Sequence, residues 1–298
     1  GLNTFISAQG QANVAMLSVL VGAVTNIVLD PIFIFGLGMG VKGAALATII
    51  SQALSAAWVV FYLCSKRSGL RIKLKYMRPK AKTIGQISAL GVAPFIMQST
   101  ESLVSIVLNR GLQSYGGDLY VGSMTIIQSI MQMIVMPIQG ITQGVQPIMS
   151  YNYGAGKYDR VRKTFFLLLR TTLTITVICC LLVVFFPAIF ARMFTPKAEL
   201  IALVTKVMPI FMAGIWAFGA QMACQTTFMS LGQAKTSLFL ALLRKIILLI
   251  PLAIILPMLT HSVLGIYAAE PIADIVASCT TLILFLTQYK KLLPKENK

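Results

Sequence analysis

Apolar windows, broken by charged residues, Gly and Pro, divide the chain into eight stretches long enough to cross a bilayer: 14–35, 43–63, 84–110, 119–148, 164–188, 203–229, 239–259 and 264–288. A hydrocarbon core of roughly 30 Å takes about 20 helical residues to cross, and each stretch meets that length. The pattern predicts an all-α polytopic membrane protein with eight transmembrane helices. Composition agrees, because 57% of the 298 residues are hydrophobic and 11% charged, whereas a soluble domain carries about 25% charge.

Charge then orients the spans. The chain has 25 Lys and Arg against 8 Asp and Glu, a net +17. Eight of the bases lie in 66–82, between the second and third spans, and four more (Lys157, Arg160, Arg162, Lys163) lie between the fourth and fifth. Lys235 and the tail residues Lys290, Lys291, Lys295 and Lys298 fall on the same side. Cytoplasmic loops are enriched in Lys and Arg, so this side and the C-terminus are expected to be cytoplasmic. Bases dispersed among short loops are no nucleic-acid surface, which needs them on one face with interleaved aromatics.

Little in the chain points to catalysis. The cysteines (Cys64, Cys179, Cys180, Cys224, Cys279) lie in apolar stretches without CxxC spacing, so neither a disulfide framework nor a metal site is expected. His261 is the single histidine, and one imidazole cannot build a multi-His metal site. The Ser150–Lys163 loop, with Gly154 and Gly156, fits neither GxxxxGK[ST] nor GxGxxG. It reads as a turn in which glycine supplies positive φ before a basic helix entry.

The sequence repeats itself. Phe5-Ile6-Ser7-Ala8-Gln9-Gly10-Gln11-Ala12-Asn13 resembles Phe228-Met229-Ser230-Leu231-Gly232-Gln233-Ala234-Lys235, and Gly43-Ala44-Ala45-Leu46-Ala47 resembles Gly265-Ile266-Tyr267-Ala268-Ala269. Gly10 with Gly232, and Gly43 with Gly265, stand at one lag, 222 residues. A lag that preserves direction implies parallel bundles related about the membrane normal. If the second bundle begins near Lys82, the first has roughly 140 residues before Gly1, so an N-terminally truncated chain is expected.

Asn26-Ile27-Val28-Leu29-Asp30-Pro31-Ile32-Phe33, Gly43-Ala44-Ala45-Leu46-Ala47-Thr48, Gln143-Gly144-Val145-Gln146-Pro147-Ile148-Met149-Ser150-Tyr151-Asn152-Tyr153-Gly154-Ala155-Gly156 and Ser230-Leu231-Gly232-Gln233-Ala234, with Arg244 beyond, occur in this order. They resemble the hallmark segments of multidrug and toxic compound extrusion (MATE) transporters, within them the bacterial branch of cation-driven multidrug efflux pumps. The resemblance implies a twelve-helix fold of two pseudo-symmetric bundles. Residues 1–65 would then be the end of helix 4 with helices 5 and 6, 66–82 a cytoplasmic basic linker, and 83–298 the complete C-terminal bundle of helices 7 to 12. It marks Asp30, Asn152 and Gly154 as structural hallmarks. Read from its residues, Asp30 is a capping or turn-stabilising carboxylate beside Pro31.

Glu101 is the acidic residue of the third span, and a carboxylate there is expensive unless it faces a cavity or binds a cation. Gln98 and Ser105, at i−3 and i+4, share its face. Arg110 is nine residues away, roughly 13.5 Å along the helix, which is too far for direct pairing. The MATE resemblance implies a cation or drug site at about this position. In the fourth span Gln128, Gln132, Gln139, Gln143 and Gln146 fall within an arc of about 60°. Such a stripe either faces a water-filled cavity or bonds neighbouring helices. Pro137, Gly140, Gly144 and Pro147 interrupt the same span, as expected of a segment that bends.

Gln221 and Gln225 in the sixth span, four apart, continue the polar lining. Met97, Met131, Met133, Met136, Met212 and Met222 offer soft, polarizable surface. Glu270 and Asp274 form an i, i+4 acidic pair that needs a neighbouring cation or base, for which Arg244 and Lys245 are the candidates. The expected function is an antiporter exporting cationic amphipathic compounds against Na⁺ or H⁺ by alternating access, in a bacterial inner membrane, monomeric when full length, with no enzymatic activity and no cofactor beyond the coupling ion. The alternatives are a lipid-linked oligosaccharide flippase of the same superfamily, which calls for a strongly basic cavity, and a non-transporting remnant or assembly subunit.

Overall fold

The computed structural model describes residues 2–65, 68, 69 and 80–292. Most of the basic linker expected over 66–82, together with Lys295 and Lys298, lies outside the described residues. All regular elements among the described residues are helices. That follows from the apolar sequence, since a helix satisfies its backbone internally where lipid offers no partners. The chain divides into two compact units, 1–85 and 86–298.

The first unit contains α1 (Asn3–Ala8), α2 (Ala12–Pro31), a π-helical turn (Ile32–Gly36) and α3 (Gly40–Cys64). α2 and α3 pack through small and hydroxylated residues: Ser55 Oγ donates to the Ser18 carbonyl at 2.8 Å, and Gly22 lies against Ser55. Close approach of this kind drives helix association where lipid removes the hydrophobic incentive. Large apolar side chains cover the outside, with Phe35 82% and Phe61 79% exposed, a surface fit for lipid or other helices and not for water.

The second unit follows with α4 (Ala81–Gly116), α5 (Asp118–Gly154), α6 (Tyr158–Phe185), α7 (Pro187–Phe194), α8 (Ala198–Phe211), α9 (Ile215–Ser230), α10 (Ala234–Leu242), α11 (Ile250–Thr260) and α12 (Leu264–Leu292). The sixth predicted span is broken: Met212–Gly214 forms a 3₁₀ turn between α8 and α9. The seventh is widened by a π-helical stretch, Leu243–Leu249, between α10 and α11. Pro251 explains this widening, because its ring removes one N–H and would crowd the Ile247 carbonyl in a regular α-helix. The Ile250 N–H bonds instead to the Lys245 carbonyl, five residues back.

Seven helical stretches among the described residues are long and apolar enough to cross a membrane. The third predicted span, 84–110, lies within α4, a 36-residue helix whose middle carries Gln98-Ser99-Thr100-Glu101-Ser102. It is not among the seven. α12 is drawn tightly onto α9. A Cβ on Gly214 would sit 2.7 Å from Pro271 Cα, and Ser278 Oγ donates to the Ala217 carbonyl at 3.1 Å. One turn before Pro271 the buried Tyr267 hydroxyl lies 2.6 Å from Ser123 Oγ and donates to the Tyr120 carbonyl at 3.1 Å.

The repeated segments have matching local geometry in the two units. Gly10 and Gly232 adopt φ of 78° and 77°, and the flanking Gln11 and Gln233 bond back to the Ile6 and Phe228 carbonyls at 3.3 and 2.8 Å. This is the Gly-terminated turn that closes a helix through a six-residue hydrogen bond. Gly43 and Gly265 also share a role. A Cβ on either would come within 2.8 Å of the preceding element's backbone, at Phe33 and at Leu256 and Pro257 respectively.

Candidate functional site

The second unit carries an open-sided cavity of about 840 Å³ lined by α4, α5, α8, α9, α10, the π-helical stretch and α12. α4 contributes Met97, Gln98, Glu101 and Ser105, and α5 contributes Gln128, Met131, Gln132 and Gln139. α9 adds Phe218, Gln221, Met222 and Gln225. A polar wall of this extent on apolar helices cannot face hydrocarbon cheaply.

Glu101 sits on this wall with its side chain 53% exposed, and accepts a hydrogen bond from Lys245 Nζ at 3.0 Å. Lys245, 15% exposed, also stands 3.9 Å from Glu270 Oε1. Behind it Arg244 Nε donates to Asp274 Oδ1 at 2.5 Å and Nη2 donates to Glu270 Oε1 at 3.1 Å. The Arg244 guanidinium rests 4.7 Å from the Phe218 ring centroid, near enough for attraction to the ring face. Arg244, Glu270 and Asp274 side chains are each below 10% exposed. Both adjacent bases, Arg244 and Lys245, lie in the π-helical stretch and reach this one cluster. Gln221 is 1% exposed, and its Oε1 has no hydrogen-bond partner.

The structure does not bring all the sequence-selected residues together. Gln143 is exposed and Gln146 half-buried, and neither lines the cavity. The cavity takes in the stripe up to Gln139, whereas α5 runs 37 residues, about 55 Å at 1.5 Å per residue. Met133 and Met136 point outward, 44% and 62% exposed, and Met212 is core at 1%. Asp30 caps no helix end. It lies inside α2 and accepts from Asn26 Nδ2 at 3.2 Å, one turn away. Asn152 donates back to the Ile148 carbonyl at 2.8 Å. Gly154 is the last residue of α5, and the left-handed turn belongs to Gly156, at φ 71°.

The partner of Glu101 escaped sequence reasoning, which looked along its own helix toward Arg110. Lys245 lies 144 residues away in the chain. Two adjacent bases shortly before Pro251, inside an apolar run, were the signal available.

These features define an all-helical, multi-span membrane protein with a polar, ionically paired cavity inside one helical unit. The MatE family model matches residues 94–255, and the chain belongs to that family. It is 26% identical over 285 residues to the multidrug export protein MepA of Staphylococcus haemolyticus strain JCSC1435, covering 96% of this chain and 62% of that protein. MepA of Staphylococcus aureus strain N315 is 26% identical over 248 residues, covering 83% of this chain and 54% of that protein. The chain thus spans less than two thirds of these relatives. In fold it is similar to an outward-facing multidrug resistance MATE family transporter of the MOP superfamily, with TM-score 0.88 and 24% identity over 98% of this chain and 65% of that one. A MOP superfamily transporter from Pyrococcus furiosus, described as having a binding pocket of reverse polarity that suggests a different function, matches with TM-score 0.89 and 23% identity over 99% of this chain and 66% of that one.

Proposed function

We propose that this chain is part of a secondary active antiporter that exports cationic amphipathic compounds while Na⁺ or H⁺ moves inward, the second unit's cavity exchanging one cation for the other at Glu101. The observation that carries this reading is the half-exposed Glu101 carboxylate on the wall of the 840 Å³ cavity. A volume in the range of drug-sized sites, with methionine surface from Met97, Met131 and Met222, suits apolar cations of varied shape. The similarity to proteins described as multidrug exporters supports the substrate class.

An oligosaccharide flippase would call for a strongly basic cavity. The lining here has Glu101 and Glu270 against Arg244 and Lys245, with Asp274 bonded behind, which favours a cation. Two bundles rocking about the site would give alternating access. The distribution of basic loops favours a plasma-membrane protein with its C-terminus cytoplasmic.

The test is dye efflux from proteoliposomes containing the full-length protein, under separately imposed Na⁺ and proton gradients. Glu101→Gln should abolish efflux while membrane insertion is retained. Efflux at the native rate in that variant would overturn the assignment of Glu101.

A further inference from the structure

Five ionisable side chains meet at one edge of the cavity: Glu101, Glu270 and Asp274 against Arg244 and Lys245. With all of them ionised, the cluster carries one more negative than positive charge. The two bases are held very differently. Arg244 is buried and fixed by Asp274, by Glu270 and by the Phe218 ring. Lys245 makes one hydrogen bond, at 3.0 Å, to the most exposed carboxylate of the set, and already stands 3.9 Å from Glu270 Oε1. An ammonium on a flexible four-carbon stem can move between two such acceptors, whereas a forked guanidinium held by two carboxylates cannot. Nearby, the orphaned and buried Gln221 Oε1 is a carbonyl acceptor on the same cavity wall without a donor, and buried acceptors of that kind are normally satisfied.

We propose that Lys245 is a tethered competitor for the cation site at Glu101, holding that carboxylate until a mobile monovalent cation displaces it onto Glu270. The excess negative charge admits one positive charge, whether a proton, Na⁺ or a monocationic substrate. Glu270 receives the displaced ammonium, so no base is left unpaired as the cation enters. The tether also gives exchange a return path, because Lys245 re-engages Glu101 as the cation leaves and keeps the site from acting as a trap. This rests on the reading of Glu101 as the exchanging carboxylate.

The experiment measures equilibrium binding of tetraphenylphosphonium, a lipophilic monocation, to the purified full-length protein, with Na⁺ and protons as competitors. Lys245→Gln removes the internal competitor and should bind the probe about three- to fivefold tighter, the effect of one partly exposed ion pair. Lys245→Arg, which keeps the charge but can fork onto Glu101, should bind it more weakly. It provides the answer on its own if the Gln variant fails to fold. Both shifts should vanish in a Glu101→Gln background.

Competition by Na⁺ that strengthens in Lys245→Gln identifies the metal ion as the displacing charge. Competition by acid alone identifies the proton, and competition by neither leaves the organic cation in that role. Unchanged probe affinity in Lys245→Arg and Lys245→Gln, with Glu101→Gln still losing the probe, overturns the tether and leaves the Glu101 reading intact. Binding and efflux at native levels in Glu101→Gln overturn both.

Discussion

Replacing Arg244 by Met should destabilise the protein by about 3 kcal/mol. The substitution removes the donors at 2.5 Å to Asp274 and 3.1 Å to Glu270 and leaves two carboxylates, each no more than 5% exposed in the side chain, without their base. Breaking a buried ion pair from one side costs about 3–5 kcal/mol. Losing the contact with the Phe218 ring adds about 0.5–1 kcal/mol. Lys245, 3.9 Å from Glu270, can move closer and relieve that carboxylate, which keeps the total near the lower bound. Met retains an unbranched apolar stem against Phe218, so the loss reads charge more than packing.

The assay is thermal unfolding in detergent, followed by a thiol-reactive dye in a background whose single cysteine is the buried Cys224. At about 1.4 kcal/mol per factor of ten, the reactive population should rise more than a hundredfold at a fixed temperature below the transition. The triple variant Arg244→Met, Glu270→Gln, Asp274→Asn removes the stranded charges and should recover most of the loss. A single variant as stable as the native protein, or a triple no better than the single, would refute the burial argument.

Gly214→Ala places a methyl 2.7 Å from Pro271 Cα and should cost about 1–3 kcal/mol through overpacking. The same unfolding assay checks it, and native stability would show that α9 and α12 part easily. Gln139→Trp fills part of the cavity and should narrow the range of exported compounds, whereas Gln143→Trp, outside the lining, should leave it unchanged. Growth of expressing cells across a panel of cationic dyes separates the two, and equal effects would contradict the cavity boundary.

The chain shows its helices and its family plainly in sequence, because both are local properties. In lipid each span must satisfy its backbone within itself, so an apolar window of the right length already states the element. The motif at Gly10 and Gly232 was legible for a similar reason: a left-handed turn of φ near 78° favours glycine wherever it occurs. One face of α4 and the upper part of the Gln stripe were also readable, since Gln98, Glu101, Ser105, Gln128, Gln132 and Gln139 follow helical spacing and do line the cavity.

The limits of that reading are equally physical. Periodicity places Gln143 and Gln146 on the same stripe as Gln139, yet says nothing of where along the helix a cavity stops. It cannot decide which base of an adjacent pair meets which acid on another helix. That depends on the rotation of the seventh span, altered by the π-turn before Pro251, and on how closely α12 approaches at Gly214. The sequence by itself determined a bundle of membrane helices, the charge bias of its loops and the acidic residue on its third span. Only the tertiary structure decided that Lys245 lies between Glu101 and Glu270, because the pairing joins residues 144 positions apart through the packing of whole helices, on which local pattern carries no information.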